Sequence, residues 1–383
     1  MTIHPDRDRS VESIPLDGLL PLLRDLIAID SVNPGLVEGA AGEKAIVECL
    51  RQRLEGSGFH CVVITGEDPQ RPSLIALPAA ERAGATVVLN GHLDTVGVAG
   101  MAAPLTARIA GDRIYGRGAA DMKGGVAALV VAAEWLLANT DRVRPVLALV
   151  ADEEDRSQGS EAVIDILPGL GVTPDLCLIA EPTELLIARS LRGFAVVRVV
   201  FPGRAVHSSQ AELGINAVIH LGRFLAALEL RAEAVRAAGG DLMATVISGG
   251  SAPFTIPDRA ECLVELRTTP EQSASAALEV IQALLEPEWQ ASTELICARE
   301  GWRLDATGPA AEFAAQLGDT LGTQATFDAP YWMEAPLWQQ LCPTVICGPS
   351  GGGLHGVDEW LSREQLERFT TAMAQSLAGI THR

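Results

Sequence analysis

A chain of 383 residues is long enough for two or more domains with separate cores. Its 48% apolar and 20% charged residues match a soluble α/β protein, and a formal net charge of −20 argues against nucleic acid or an anionic membrane surface as partner. No apolar stretch reaches the length of a membrane span, since the best, GGVAALVVAAEWLLA, is broken by Glu134. The start, MTIHPDRDRSVES, is polar and lacks an apolar h-region, which reads as a chain without a secretory signal. Seven cysteines without a CxxC pair read as reduced thiols, Cys342 and Cys347 as strand residues around PTVI, and the expected location is cytoplasmic.

In chain order, LDGLLPLLRDLIAID and EKAIVECLRQRLEGSGF carry a helical apolar period. HCVVI, SLIAL and ATVVLNGHLD follow as strands. Next come the glycine-rich GDRIYGRGAADMKGG, the helix VAALVVAAEWLLAN, the strand PVLALVA and a strand in DLCLIAEP. Such alternation predicts an α/β domain, its sheet sandwiched between helices and its ligands gathered at strand ends. From about Leu191 the pattern changes: GFAVVRVVF, DLMATVISGG and AECLVELRTTP read as strands, INAVIHLGRFLAALELRAEA and SASAALEVIQALLEP as helices. That is an open-faced α+β sandwich of about a hundred residues. From about Thr307 the first pattern returns, with a helix in AAEFAAQLGDTL, the strand TVICG, a glycine-rich loop and a closing helix. The expectation is a main domain of residues 1–190 and 305–383 with a smaller domain, 191–304, inserted into it.

The residues with chemical potential stand where strands end. The run PVLALVADEED stops in Asp152, Glu153, Glu154 and Asp155, and like charges so crowded are either solvated or gathered around a cation. His92 and Asp94 stand two apart in NGHLDTV and share a face. Asp121 sits in GRGAADMKGG, where alone it would serve as a helix N-cap. Glu181 closes DLCLIAEP before Pro182, and His355 lies in GGGLHGVDEW. Each has a bland explanation, but an acid or imidazole closes strand after strand of one layer. Oxygen and nitrogen donors of this kind suit Zn²⁺, Co²⁺ or Mn²⁺ better than a thiolate site does. Two divalent ions against the charges of Asp121, Glu154 and Glu181 leave room for one hydroxide, the nucleophile of a hydrolase, with Glu153 beside it as general base.

NGHLDTV, GRGAADMKGG, ADEED, IAEP, GRAVHSS, VELRTTP and LHGVDEW resemble, in order and over nearly the whole chain, motifs of a family of dinuclear metallohydrolases. That family contains acetylornithine deacetylase, succinyl-diaminopimelate desuccinylase, aminoacylase and carboxypeptidase G. YWMEAPLWQQLCPTVICGPSG is most similar to the acetylornithine deacetylase branch, which has a Glu where Glu334 stands. The resemblance implies two divalent ions, zinc first and cobalt or manganese next. It implies that His92 and Glu181 bind one, that Glu154 and His355 bind the other, and that Asp121 bridges them. It further implies that Asp94 orients His92, that Glu153 is the base, and that the Asp121–Met122 peptide is cis. The smaller domain would form a homodimer, with His207 reaching the partner's site to stabilise the oxyanion. Arg267 would hold the substrate carboxylate, a task suited to a guanidinium, and Glu334 would contact the substrate. The expected substrate is a small N-acylated amino acid, or a dipeptide. One departure weakens the substrate assignment: GGSAPFTIPD has Phe254 where the family commonly has Asn.

The sequence also admits three rival readings. GPSGG, 348–352, matches the G-x-S-x-G elbow of serine hydrolases, which needs a helix directly after the serine. A dipeptidase or carboxypeptidase of the same family is compatible with the motifs. A non-catalytic metal- or ligand-binding protein of this fold would be expected to have lost ligands, yet every expected ligand and the base are present.

Overall fold

A computed structural model describes residues 14–66 and 68–380. The polar start, read above as lacking a secretory signal, lies outside the described residues. The chain divides into two compact units. The first holds the chain up to Ala188 together with Leu304–Phe327 and the part from Met333 onward; the second holds Arg189–Arg303 and Asp328–Trp332. That last short segment falls within 305–383, the range expected for the main domain. It groups with the second unit because Trp332 packs edge-on against Phe194, with ring centroids 6.1 Å apart, and donates its indole N–H to the Glu300 carbonyl at 3.1 Å.

The first unit is built on a six-stranded mixed sheet in the order Phe59–Thr65, Pro72–Pro78, Val143–Val150, Ala85–His92, Leu176–Ile179 and Thr344–Ile346. Its last four strands in that order run parallel. A parallel strand must be covered on both faces, which is why Ala85–His92 is apolar along most of its length and buried throughout. The helix Gly124–Asn139 packs on the sheet and against Leu19–Ala28 and Arg363–Ala378. It is apolar nearly all round, as a helix enclosed by other elements must be. Its one acid, Glu134, is held by Arg53 at 2.8 Å.

The start of this helix lies close to a strand end. A Cβ placed on Gly125 would fall 2.3 Å from the Ala180 carbonyl oxygen, a backbone atom that cannot swing aside. Gly125→Ala is therefore expected to destabilise this unit by about 1–3 kcal/mol despite alanine's better helix propensity. Thermal unfolding should register this as a fall of about 2–4 °C per kcal/mol. An unchanged midpoint would show that the helix start can retreat from the strand freely.

The second unit is an antiparallel sheet in the order Asp241–Gly249, Arg259–Thr268, Gly193–Pro202, Ser292–Arg299. Strict alternation of buried and half-buried residues along Gly193–Pro202 and Arg259–Thr268 marks a sheet covered on one face. The covering helices are Ala217–Ala237 and Ala277–Gln282, and Phe201, Phe224 and Trp289 fill the space beneath. Asn216 caps the longer helix by accepting the Val218 and Ile219 N–H groups at 3.1 and 3.3 Å. The open-faced α+β sandwich and the α/β sheet expected from the sequence are both present.

Candidate metal centre

Strand register explains why the acids and imidazoles meet. Ala85–His92 pairs in parallel with Val143–Val150 so that His92 faces Val150, and with Leu176–Ile179 so that Asn90 faces Ile179. Residues just beyond those pairs emerge at one edge of the sheet. They are Asp94 from the first strand, Glu153 and Glu154 from the second, and Glu181 from the third. Asp121 arrives in the turn before Gly124–Asn139, and His355 in the loop after Gly351–Gly352. The Asp121–Met122 peptide is cis.

His92 Nε2 lies 3.0 Å from Asp121 Oδ1, and His355 Nε2 lies 3.3 Å from Asp121 Oδ2 and 3.1 Å from Glu154 Oε2. One ligand atom from each of His92, Glu153 and Glu181 falls within 4.8 Å of the others, as does one from each of His92, Asp121 and Glu154. All six side chains surround one locus in the first unit.

Adjacent strand residues point to opposite sides, so Glu153 and Glu154 can both face this locus only if the strand has ended. It has. Asp152 adopts the left-handed conformation, with φ of 69°, and turns the chain. The Asp94 carboxylate then grips the turn, accepting the Glu153 N–H on Oδ1 and the Glu154 N–H on Oδ2, each at 3.1 Å. Asp94 also accepts from the Asn33 amide at 2.8 Å. Its contact with His92 is looser, 3.5 Å from Nδ1, and the nearer partner of that nitrogen is the Asp94 backbone carbonyl at 3.0 Å.

Burial pushes the Glu181 carboxyl up to about 8, against the pull of His92 and with the push of Asp121, Glu334 and Glu154. Burial, joined by the charge of Glu181, drives Glu153 well above the usual carboxylate range, and burial and Asp121 raise Glu154. Hydrogen bonds to Asp121 and Glu154 lift His355 to about 10. Burial opposes a charged His92, but its bonds to Asp121 and Asp94 outweigh that and raise it. The site is thus a surplus of carboxylates seeking positive charge. Glu154 Oε1 is buried without any hydrogen-bond partner. An oxygen and nitrogen donor set with an orphaned buried carboxylate oxygen fits a divalent cation.

The remaining residues singled out from the sequence stand as follows. Glu334 is buried near the same locus; its Oε2 accepts from Ser160 at 2.7 Å, and its Oε1 has no partner. Burial pushes this carboxyl up to about 7. His207 and Arg267 belong to the second unit. His207 is exposed and its Nδ1 lies 2.8 Å from Ser209 Oγ; Arg267 pairs with Glu265 and lies over the Phe194 ring at 5.0 Å. Phe254 is exposed in a left-handed turn and lends only its carbonyl, to the Ser208 N–H at 2.8 Å. The serine-elbow reading of Ser350 fails, because Ser350 is buried and leads into the strand Gly351–Gly352 rather than a helix.

Two supporting residues, Arg71 and Glu43, escaped the sequence reading. Asp152, the first of the four crowded acids, is buried and paired with Arg71 at 2.8 Å, so it supports the turn rather than facing solvent. Arg71 also forks onto both oxygens of buried Glu43, at 2.9 and 3.2 Å. A signal existed: Arg71 and Glu43 are charges set at the lips of apolar runs, RPSLIAL and GEKAIV, as the DEED acids are.

Acetylornithine deacetylase of Vibrio atlanticus is 27% identical over 385 residues, covering 94% of this chain and 98% of that one. Among solved structures, a tripeptidase of Staphylococcus aureus superposes with a TM-score of 0.79 at 16% identity, covering 96% and 99% of the two chains. A dinuclear metal-binding peptidase of Bacillus subtilis does so with a TM-score of 0.70 at 15% identity, covering 94% and 97%. The profile of peptidase family M20/M25/M40 matches residues 88–378, a span that holds every acid and imidazole of the cluster, and the chain belongs to that family.

Proposed function

We propose that this metal-dependent hydrolase of amide bonds removes the acyl group from a small N-acyl amino acid, in the manner of an acetylornithine deacetylase. The observation that carries the reading is the convergence of His92, Asp121, Glu153, Glu154, Glu181 and His355 around one locus, with a buried carboxylate oxygen left unpartnered. His92 and Glu181 would hold one divalent ion, Glu154 and His355 a second, and Asp121 would serve both. Zinc suits the donors best, with cobalt or manganese as substitutes. When bound, such ions polarise the scissile carbonyl and make water nucleophilic at neutral pH.

The chain's own side chains supply the rest. Glu153 takes the proton of the attacking water and returns it to the leaving amine nitrogen. Asp94 holds Glu153 and Glu154 in place through their backbone N–H groups and orients His92. Glu334 turns a buried, unpartnered oxygen to the substrate's polar end. Arg267 binds the substrate carboxylate, and His207 of the second subunit of a homodimer steadies the oxyanion. The exposed apolar residues Met243, Val246 and Ile247 on the edge strand Asp241–Gly249 support such a dimer. Among the described residues no helix is long and apolar enough to cross a membrane, and we place the enzyme in the cytoplasm.

A dipeptidase or carboxypeptidase of the same family is the second reading, since Phe254, standing where the family commonly has Asn, leaves the substrate open. A panel of N-acetyl amino acids, N-acetylornithine among them, against dipeptides separates the two. With added Zn²⁺ or Co²⁺ the N-acetyl compounds should be cleaved, and a chelator should abolish turnover until metal is restored. Cleavage of dipeptides alone would install the second reading, and activity indifferent to chelator would remove both.

A further inference from the structure

Glu359 is 1% exposed and Arg117 2% exposed, and neither carries a role in the reaction described above. The two form an ion pair of 2.7 Å between Arg117 Nη1 and Glu359 Oε2. What sets the pair apart is where its other bonds go. Glu359 accepts three backbone N–H groups from the turn that carries Asp121: Gly118 at 3.0 Å, Ala120 at 2.9 Å and Asp121 itself at 3.2 Å. Arg117 donates Nη2 to the carbonyl of Gly356, the residue after His355, at 2.9 Å. It donates Nε to the carbonyl of Gly97, in the loop that follows His92 and Asp94, at 3.1 Å. Gly118 lies in the left-handed region with φ of 73°, and a Cβ there would meet Thr95 Cγ2 at 2.7 Å, so the turn can close on Glu359 only with glycine.

The loop that follows His92 and the loops bearing Asp121 and His355 are therefore bolted to one buried pair. The strand Arg113–Tyr115 pairs with Trp360–Ser362 so that Tyr115 faces Trp360, and Arg117, two residues past the first strand, and Glu359, one residue before the second, leave the same end of that small sheet. We propose that Arg117 and Glu359 are positioning residues that fix the spacing of Asp121 and His355 and thereby set the affinity of the metal centre. This rests on the metal site proposed above.

The test uses Arg117→Lys and Glu359→Gln, which keep size but remove the fork and the second carboxylate oxygen. Zinc affinity is measured by equilibrium dialysis, folding by thermal unfolding in chelator, and kcat and KM at saturating zinc. Both variants should unfold cooperatively without metal. Their zinc dissociation constants should rise about 10–100-fold, the usual cost of losing a group that orients a ligand. The double variant should bind little worse than either single one, because both break the same bolt. kcat should fall with KM nearly unchanged. Arg53→Lys, which disturbs the Arg53–Glu134 pair elsewhere in this unit, should lower the unfolding midpoint and leave zinc affinity alone. Folded clamp variants with wild-type zinc affinity would overturn the proposal, as would variants that stay unfolded at saturating zinc, since the pair would then serve the fold as a whole. A wild-type protein that binds no zinc would instead overturn the metal-site reading, and the clamp with it.

Discussion

Replacing Glu153 with Gln is expected to lower turnover by about 10²–10⁴-fold, the contribution of a positioned proton-transfer group, with metal content and substrate affinity near wild type. The side chain keeps its shape but can no longer take a proton. Its backbone N–H remains on Asp94 Oδ1, so the turn has no reason to move. Burial and the neighbouring charge of Glu181 hold the Glu153 carboxyl well above the ordinary carboxylate range, the direction a proton acceptor working near neutrality requires. The geometry also offers a competing role, because Glu153 lies with His92 and Glu181 close enough to share an ion. Metal content decides between them. If Glu153→Gln loses one ion in step with its activity, Glu153 is a ligand and the base must be sought elsewhere.

What the sequence reveals about this site is its strand ends. PVLALV must be buried because it is uniformly apolar, so the acids after it must emerge together at the edge of the sheet; the same holds for the polar residues that follow the apolar runs VVL, 87–89, and LCLIA, 176–180. Local pattern carries that information because burial and strand periodicity are local consequences of side-chain type. The ties between loops leave no such trace. Arg117 and Glu359 are 242 residues apart, and Arg71 meets Asp152 through tertiary packing alone. The helix Gln158–Ile166, which brings Ser160 to Glu334, is too short and mixed to stand out beside the apolar runs. Trp332 shows the same limit for domain boundaries. Its place in the second unit is set by the distant Phe194 and Glu300, which nothing near it in sequence announces.

Glu154→Ala should fail differently from its neighbour, by losing metal. Its Oε2 meets His355 at 3.1 Å, its Oε1 is buried without a partner, and it can share an ion with His92 and Asp121. Removing a ligand should weaken metal binding by more than the about 10–100-fold that follows loss of a group merely orienting one. Stability reports the same event, since an ion that binds only the folded chain adds about 2.7 kcal/mol at a hundred times its dissociation constant. The rise in unfolding midpoint on adding zinc to the wild type should therefore shrink or vanish in Glu154→Ala. Asp155→Asn supplies the contrast. The Asp155 side chain is 24% exposed and pairs with the exposed Arg156 at 3.3 Å, and a partly exposed ion pair of this kind is usually worth no more than about 1 kcal/mol. Its metal content, zinc-dependent stabilisation and turnover should stay close to wild type. Should Asp155→Asn be inactive while Glu154→Ala keeps its zinc and its turnover, the roles assigned along Asp152, Glu153, Glu154 and Asp155 are wrong, and the cation sits on the other side of this turn.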